Sequence, residues 1–145
     1  MSLDRAYDEN NVFARIIRGE MPAAKVHEGD NVLAIMDAFP QSEGHVLVMP
    51  KGEEMVNLLD TPTSVVQEVI ACAQVIAAAV VDALQPAGVR IVQFNGAAAG
   101  QSVFHLHFHV IPVYKDRDER PHGADPVPAG QLEETAALIR ARLQA

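Results

Sequence analysis

Phe104-His105-Leu106-His107-Phe108-His109-Val110-Ile111-Pro112 is the stretch whose reading decides the fold. Taken with a period of two, Phe104, Leu106, Phe108 and Val110 face one side of a strand and His105, His107 and His109 the other. The first face is core and the second is a row of imidazoles. Successive imidazoles on it sit roughly 6.5 to 7 Å apart at Cα, close enough to share one phosphate-sized ligand or one metal ion. Half of the six histidines fall within these few residues, a concentration that marks a site rather than a solvated face.

Outward from that strand, the chain of 145 residues has the length of one domain and the apolar content for a proper core. A formal charge of −8 argues against nucleic acid as a partner, because phosphate-backbone binding is carried by Lys and Arg, although a small anion can still be held locally. Cys72 is the only cysteine, so no intrachain disulfide can form. With an N-terminus lacking a secretory pattern, this leads to the expectation of a cytoplasmic protein. The apolar stretch 69–84 reads as short of a span and is interrupted by Gln74 and Asp82, so no membrane segment is expected.

Residues 1–11 are polar and irregular and read as a mobile lead-in. Phe13, Ile16 and Ile17 fall at i, i+3 and i+4, giving a short amphipathic helix that Gly19 stops. Stretches 24–28 and 31–36 read as strands joined through Gly29-Asp30, with Asp37 at the end of the second. A loop at 39–44 delivers the chain into a third strand that His45 opens. A further short helix is expected over 54–59. A long helix follows to about Leu84, capped through Thr61 before Pro62 or through Ser64 with Gln67. Its apolar residues cover most of its circumference, which places it flat against a sheet with Cys72 as a buried small side chain. Stretch 89–95 is a fourth strand, and 96–102, built almost wholly of small residues, is a loop whose backbone N–H groups can approach an anion. Pro112 ends the histidine strand, 115–128 is an extended arm, and 131–144 is a helix with acidic residues early and Arg140 and Arg142 late. These elements make an α+β fold with a mostly antiparallel sheet.

Three aligned imidazoles admit two chemistries. A zinc site can take two histidines spaced i, i+2 with a third ligand from His45 or Asp37. Alternatively, a neutral imidazole attacks phosphorus while its neighbours hold the phosphate oxygens, and the small-residue loop suits this second chemistry better.

The run His105-Leu106-His107-Phe108-His109-Val110-Ile111 resembles the signature of the histidine triad (HIT) family, with Gly100-Gln101-Ser102 ahead of it as in the nucleotide-binding branch. Stretches 13–22, 34–40 and 44–51 resemble the same branch in order and spacing. The resemblance implies a HIT domain core over 12–113, completed by 114–145. It also implies a five-stranded antiparallel sheet with one long helix, and a homodimer joining two sheets into one of ten strands. The implied activity is purine nucleoside phosphoramidase-like: transfer or hydrolysis of a nucleotidyl group from a phosphorus–nitrogen or phosphoanhydride bond, with no metal or other cofactor. By position, His107 would be the nucleophile, His45 and His109 would hold phosphate oxygens, and His105 would support its neighbours. Ser102 would sit near the leaving group, Gln101 and Asn95 would line the phosphate side, and Asp37 would bind the ribose hydroxyls of an AMP-type ligand. Phe13, Ile16, Ile35 and Leu47 would enclose the base.

Two departures stand out. The structural-zinc cysteines of many bacterial relatives are replaced here by Asn11 and Ala14, and the histidine after Pro50-Lys51 is absent, with Glu53 and Glu54 nearby. No zinc is therefore expected. His27 and His122 match nothing in the pattern and read as surface residues. The alternative to an enzyme is a non-catalytic nucleotide-binding or scaffolding module that keeps the pocket.

Overall fold

Continuous apolar runs at 32–36 and 46–50 give two strands with both faces buried, and the rest of the domain is arranged around them. In the computed structural model, which describes residue 3 and residues 6–121 and 125–143, they are β2 (Val32–Met36) and β3 (Val46–Pro50). With β1 (Lys25–Glu28), β4 (Gly88–Val92) and β5 (Phe108–Val113) they form one sheet in the order β1-β2-β3-β5-β4, every pairing antiparallel. His122 and the end of the expected C-terminal helix lie outside the described residues.

The two-residue period sorts the sheet into two cores. Val32, Ala34, Met36, Val46, Val48, Phe108 and Val110 face α2 (Thr63–Leu84) and α3 (Ala129–Leu143). Leu33, Ile35, Leu47 and Met49 face α1 (Val12–Ile17), which contributes Phe13 and Ile16. His109 pairs across β3 with Leu47, and Leu47 in turn with Ile35 on β2. The imidazole face is thus continuous with the α1 core rather than with solvent.

Several expectations need correction. The strand expected from Phe104 begins only at Phe108. The reason is local: His105 Nε2 meets the Pro50 carbonyl at 2.8 Å, and Leu106 N–H goes to the Met55 carbonyl. An imidazole thus stands where a ladder amide would, and the chain leaves the sheet. The helix expected over 54–59 is a single 3-10 turn, Leu58–Asp60. Glu54 has φ 67°, which breaks any earlier start, and Asp60 Oδ1 accepts from Val56 and Asn57 N–H to close the turn. Thr61 donates to the Asn57 carbonyl instead of capping α2, whose first residues bond to the Pro62 carbonyl with no side-chain cap. Residues 7–11 of the expected mobile lead-in are tied down: Asn11 caps α1 by accepting from Ala14 N–H, Arg18 donates to the Glu9 carbonyl, and Tyr7 reaches His105.

Nor is α2 short. It runs 22 residues at a mean hydropathy of 1.9, long and apolar enough to cross a membrane. It is not buried all round. Val69, Ala73, Ile76 and Val80 pack into the core, while Ile70, Val75 and Val81 are exposed. Cys72 is partly buried beside that core, and burial pushes its thiol up to about 11. Gly44, at φ 93°, turns the chain into His45 where any Cβ would strike Leu84. The described parts of the arm, 115–121 and 125–128, fold back on their own chain. Arg120 N–H bonds to the Gln41 carbonyl and Val127 N–H to the Ala38 carbonyl, and Ala136 and Ile139 of α3 complete the core.

Candidate active site

On the α1 side of the sheet lies a cavity of about 710 Å³. Phe13 and Ile16 from α1, Ile35 from β2 and Leu47 from β3 supply its apolar lining. Asp37, Ser102, His107 and His109 line the same cavity. The structure therefore brings together eight of the twelve residues that the sequence nominates.

The hydrogen-bond partners fix where each imidazole carries its proton. A carbonyl only accepts, so His105, facing the Pro50 carbonyl through Nε2, is protonated there and accepts at Nδ1 from the Tyr7 hydroxyl at 2.8 Å. Burial holds the His105 pKa below the ordinary histidine range, partly offset by the Pro50 carbonyl, so the ring is neutral near pH 7. Burial likewise pushes the Tyr7 hydroxyl up, which keeps it a donor. His107 Nδ1 lies 2.7 Å from the His105 carbonyl and must donate to it. The lone pair of a neutral His107 is therefore on Nε2. Phe13 packs its ring edge-on against His107, centroids 4.8 Å apart, and holds the imidazole's plane.

A second chain of donors sets His109. Gln41 N–H points at His45 Nδ1 at 3.0 Å, so His45 carries its proton on Nε2, 2.9 Å from His109 Nδ1 and 3.4 Å from Asp37 Oδ2. His109 Nδ1 accepts, which leaves the neutral ring's proton on Nε2. A protonated Nε2 on His109 and an unprotonated Nε2 on a neutral His107 are thus set on adjacent rings, whose centroids are 5.0 Å apart. Asp37 accepts from Phe39 N–H through Oδ1, so it shapes its turn as well as lining the cavity.

Four of the nominated residues stand outside the cavity lining. His45 is fully buried, with its nitrogens facing Gln41 N–H and His109. His105, also fully buried, supports the site through its carbonyl, with its ring turned to Tyr7 and Pro50. Gln101 is turned away from the cavity. It is buried, accepting from Gly96 N–H and donating to the Val56 and Val103 carbonyls, and so clamps the loop. Asn95 accepts from Leu58 N–H and exchanges hydrogen bonds with Gln93, pinning the 3-10 turn. The small-residue loop is also no open amide cradle: the N–H groups of Ala99, Gly100 and Gln101 turn back onto Gly96 and Ala97 carbonyls. Its glycines serve close packing. Gly100, at φ 111°, lies against the Phe94 ring where a Cβ would be crowded at 3.3 Å. Sequence reading missed Tyr7, for which no local signal exists, and the Val127, Ala129, Leu132 and Glu133 wall contributed by the arm and α3.

Asp37, His45 and His109 present possible ligand atoms within 4.8 Å of one another. The donor set does not fit a metal as it stands. The His45 nitrogen that would coordinate carries the proton that Gln41 N–H forces onto it. Its 2.9 Å to His109 Nδ1 is a hydrogen-bond separation, shorter than the roughly 3.3 Å between neighbouring nitrogen ligands of tetrahedral zinc. Asn11 and Ala14 offer no thiolates.

Comparison with known proteins agrees with this geometry. Residues 18–116 match the HIT domain. A crystal structure of a HIT-like protein from Bartonella henselae, described as involved in cell-cycle regulation and holding an unknown ligand, superposes with a TM-score of 0.89. The two share 46% identity over 95% of this chain and 99% of that one. A zinc-bound histidine triad family protein from Mycobacterium smegmatis superposes at 0.80 with 37% identity, over 93% and 94% of the two chains. Adenylylsulfatase HINT3 of Arabidopsis thaliana is 44% identical over 107 residues, 74% of this chain and 53% of that protein.

Proposed function

This chain belongs to the histidine triad (HIT) family, and from that premise we propose that it is a nucleotide hydrolase or transferase. It cleaves purine nucleoside 5′-phosphoramidates, or related phosphoanhydrides, through a nucleotidyl intermediate on His107. One observation carries the reading: the 2.7 Å bond from His107 Nδ1 to the His105 carbonyl, which leaves the Nε2 lone pair of a cavity-lining imidazole as the nucleophile. In the first step Nε2 attacks phosphorus, the P–N bond breaks, and the amine leaves with a proton taken up from solvent and relayed through the Ser102 hydroxyl, leaving a nucleotidyl-imidazolium on His107. The His109 Nε2–H donates to a phosphoryl oxygen as its charge grows. Water then attacks phosphorus, the P–Nε2 bond breaks, and a nucleoside monophosphate and neutral His107 are released. Asp37 accepts from the ribose hydroxyls with the lone pairs it does not give to Phe39 N–H.

Hydrolysis of adenosine 5′-phosphoramidate and of adenylyl sulfate tests this, with AMP binding measured in parallel on the protein and on His107→Ala. The expected result is turnover reduced about a thousandfold or more in the variant, with AMP still bound through base and ribose contacts. AMP binding without turnover in either protein would instead support a non-catalytic binding module.

We further propose a homodimer. β4 is the sheet's last strand and presents an unpaired edge with Ile91 exposed. The exposed Ile70, Val75 and Val81 of α2 offer further apolar surface. Pairing two β4 edges would continue the sheet to ten strands.

A further inference from the structure

The sheet gives a ruler across the cavity. His109 on β5 pairs with Leu47 on β3, Leu47 with Ile35 on β2, and Ile35 with Lys25 on β1. Three strand spacings make about 14 Å, room for a nucleoside monophosphate laid across the strands. A nucleotide with phosphate at His107 and His109 and ribose at Asp37 therefore ends its base at the β1 edge of the cavity. What stands there is the start of α3. Ala129, Leu132 and Glu133 line the cavity, α3 packs against β1, and the arm is latched by Val127 N–H on the Ala38 carbonyl, one residue past Asp37. Glu133 is held in place: Arg140 Nη2 donates to its Oε1 at 2.7 Å while Arg140 Nη1 donates to the Lys25 carbonyl at 2.6 Å.

We infer that the first turn of α3 is the outer wall of the base pocket, and that the Glu133 carboxylate selects bases bearing an exocyclic amino group, adenine over hypoxanthine. The inference rests on the nucleotide reading above. Phe13, Ile16, Ile35 and Leu47 give an apolar slot, which separates bases of similar shape poorly. A carboxylate only accepts hydrogen bonds, so it welcomes the adenine amino group and opposes the carbonyl that replaces it in hypoxanthine. Glu133 is about half exposed, so solvent screens the effect to a moderate ratio.

The test is equilibrium binding of AMP and IMP to the full chain and to Glu133→Gln, with turnover of the two matching phosphoramidates. Wild type is expected to favour AMP about tenfold, and Glu133→Gln, whose amide both donates and accepts, should bring the ratio close to one. An unchanged ratio in the variant, or no preference in wild type, overturns the inference. A purely structural Glu133 would weaken both nucleotides together and lower the melting temperature without moving the ratio. Absence of binding by either nucleotide would overturn the nucleotide reading itself. Binding without turnover would overturn only the proposed chemistry, and the AMP to IMP ratio would still decide the role of Glu133.

Discussion

Replacing Gln101 by glutamate is the sharpest probe of how the loop before the histidines is built. The introduced carboxylate keeps the shape and still has an oxygen for Gly96 N–H. The atom that replaces Nε2 faces the Val56 carbonyl at 2.6 Å and the Val103 carbonyl at 3.1 Å. Ionised, it meets two acceptors in a buried site, and the folded protein therefore raises its pKa. An acid raised by about three units from an unfolded value of about 4.3 titrates near pH 7 in the fold. Below the unfolded pKa both states are protonated, the acid donates to a carbonyl, and the variant is close to wild type. As pH rises from about 4.3 to about 7 the deficit grows by about 1.4 kcal/mol per unit, reaching about 4 kcal/mol. For a domain of this size that is about a 10 °C loss in melting temperature. Urea unfolding of both proteins between pH 4.5 and 8 reads the difference directly. A variant as stable as wild type at pH 7.5 but catalytically dead would refute the clamp and restore Gln101 to the phosphate site.

Two further predictions concern His105 and the sheet edge. Since burial depresses the His105 pKa, its contribution to stability is full above about 6.5 and is lost as pH falls from there through its lower folded value. Thermal unfolding should therefore show a drop in melting temperature from pH 7.5 to 5.5 that is smaller in His105→Asn. An equal drop in both proteins would mean that other groups dominate. Light scattering should give a dimer mass at micromolar concentration, and Ile91→Lys on the exposed β4 strand should shift it toward the monomer. A wild-type monomer would exclude the joined sheet.

The sheet and its faces were legible because they follow from a period of two: Leu106, Phe108 and Val110 entered the core as read, and His107 and His109 reached the cavity. The cavity lining was legible through the family resemblance. What stayed hidden involved groups whose chemistry serves two purposes equally well. The amides of Gln101 and Asn95 suit a phosphate or a backbone carbonyl, and only the path of the chain chooses. The histidine strand's late start was invisible because an imidazole N–H replaced a backbone donor at the Pro50 carbonyl. Tyr7 lies 98 residues from the His105 it contacts, beyond any local pattern. The α3 wall could not be read from a helix whose polar and apolar residues are so evenly mixed.

The position of the His107 proton depends on a main-chain carbonyl, that of His105, and the His105 ring is oriented in turn by the main-chain carbonyl of Pro50. Carbonyls are present whatever side chain a residue carries. Drift in the surrounding sequence can therefore alter size, polarity and ligand preference around His107 without changing which of its nitrogens carries the proton, so long as the backbone keeps its course. Reactivity and selectivity are in this way heritable separately: the first is written into the trace of the chain, the second into side chains that evolution is free to exchange.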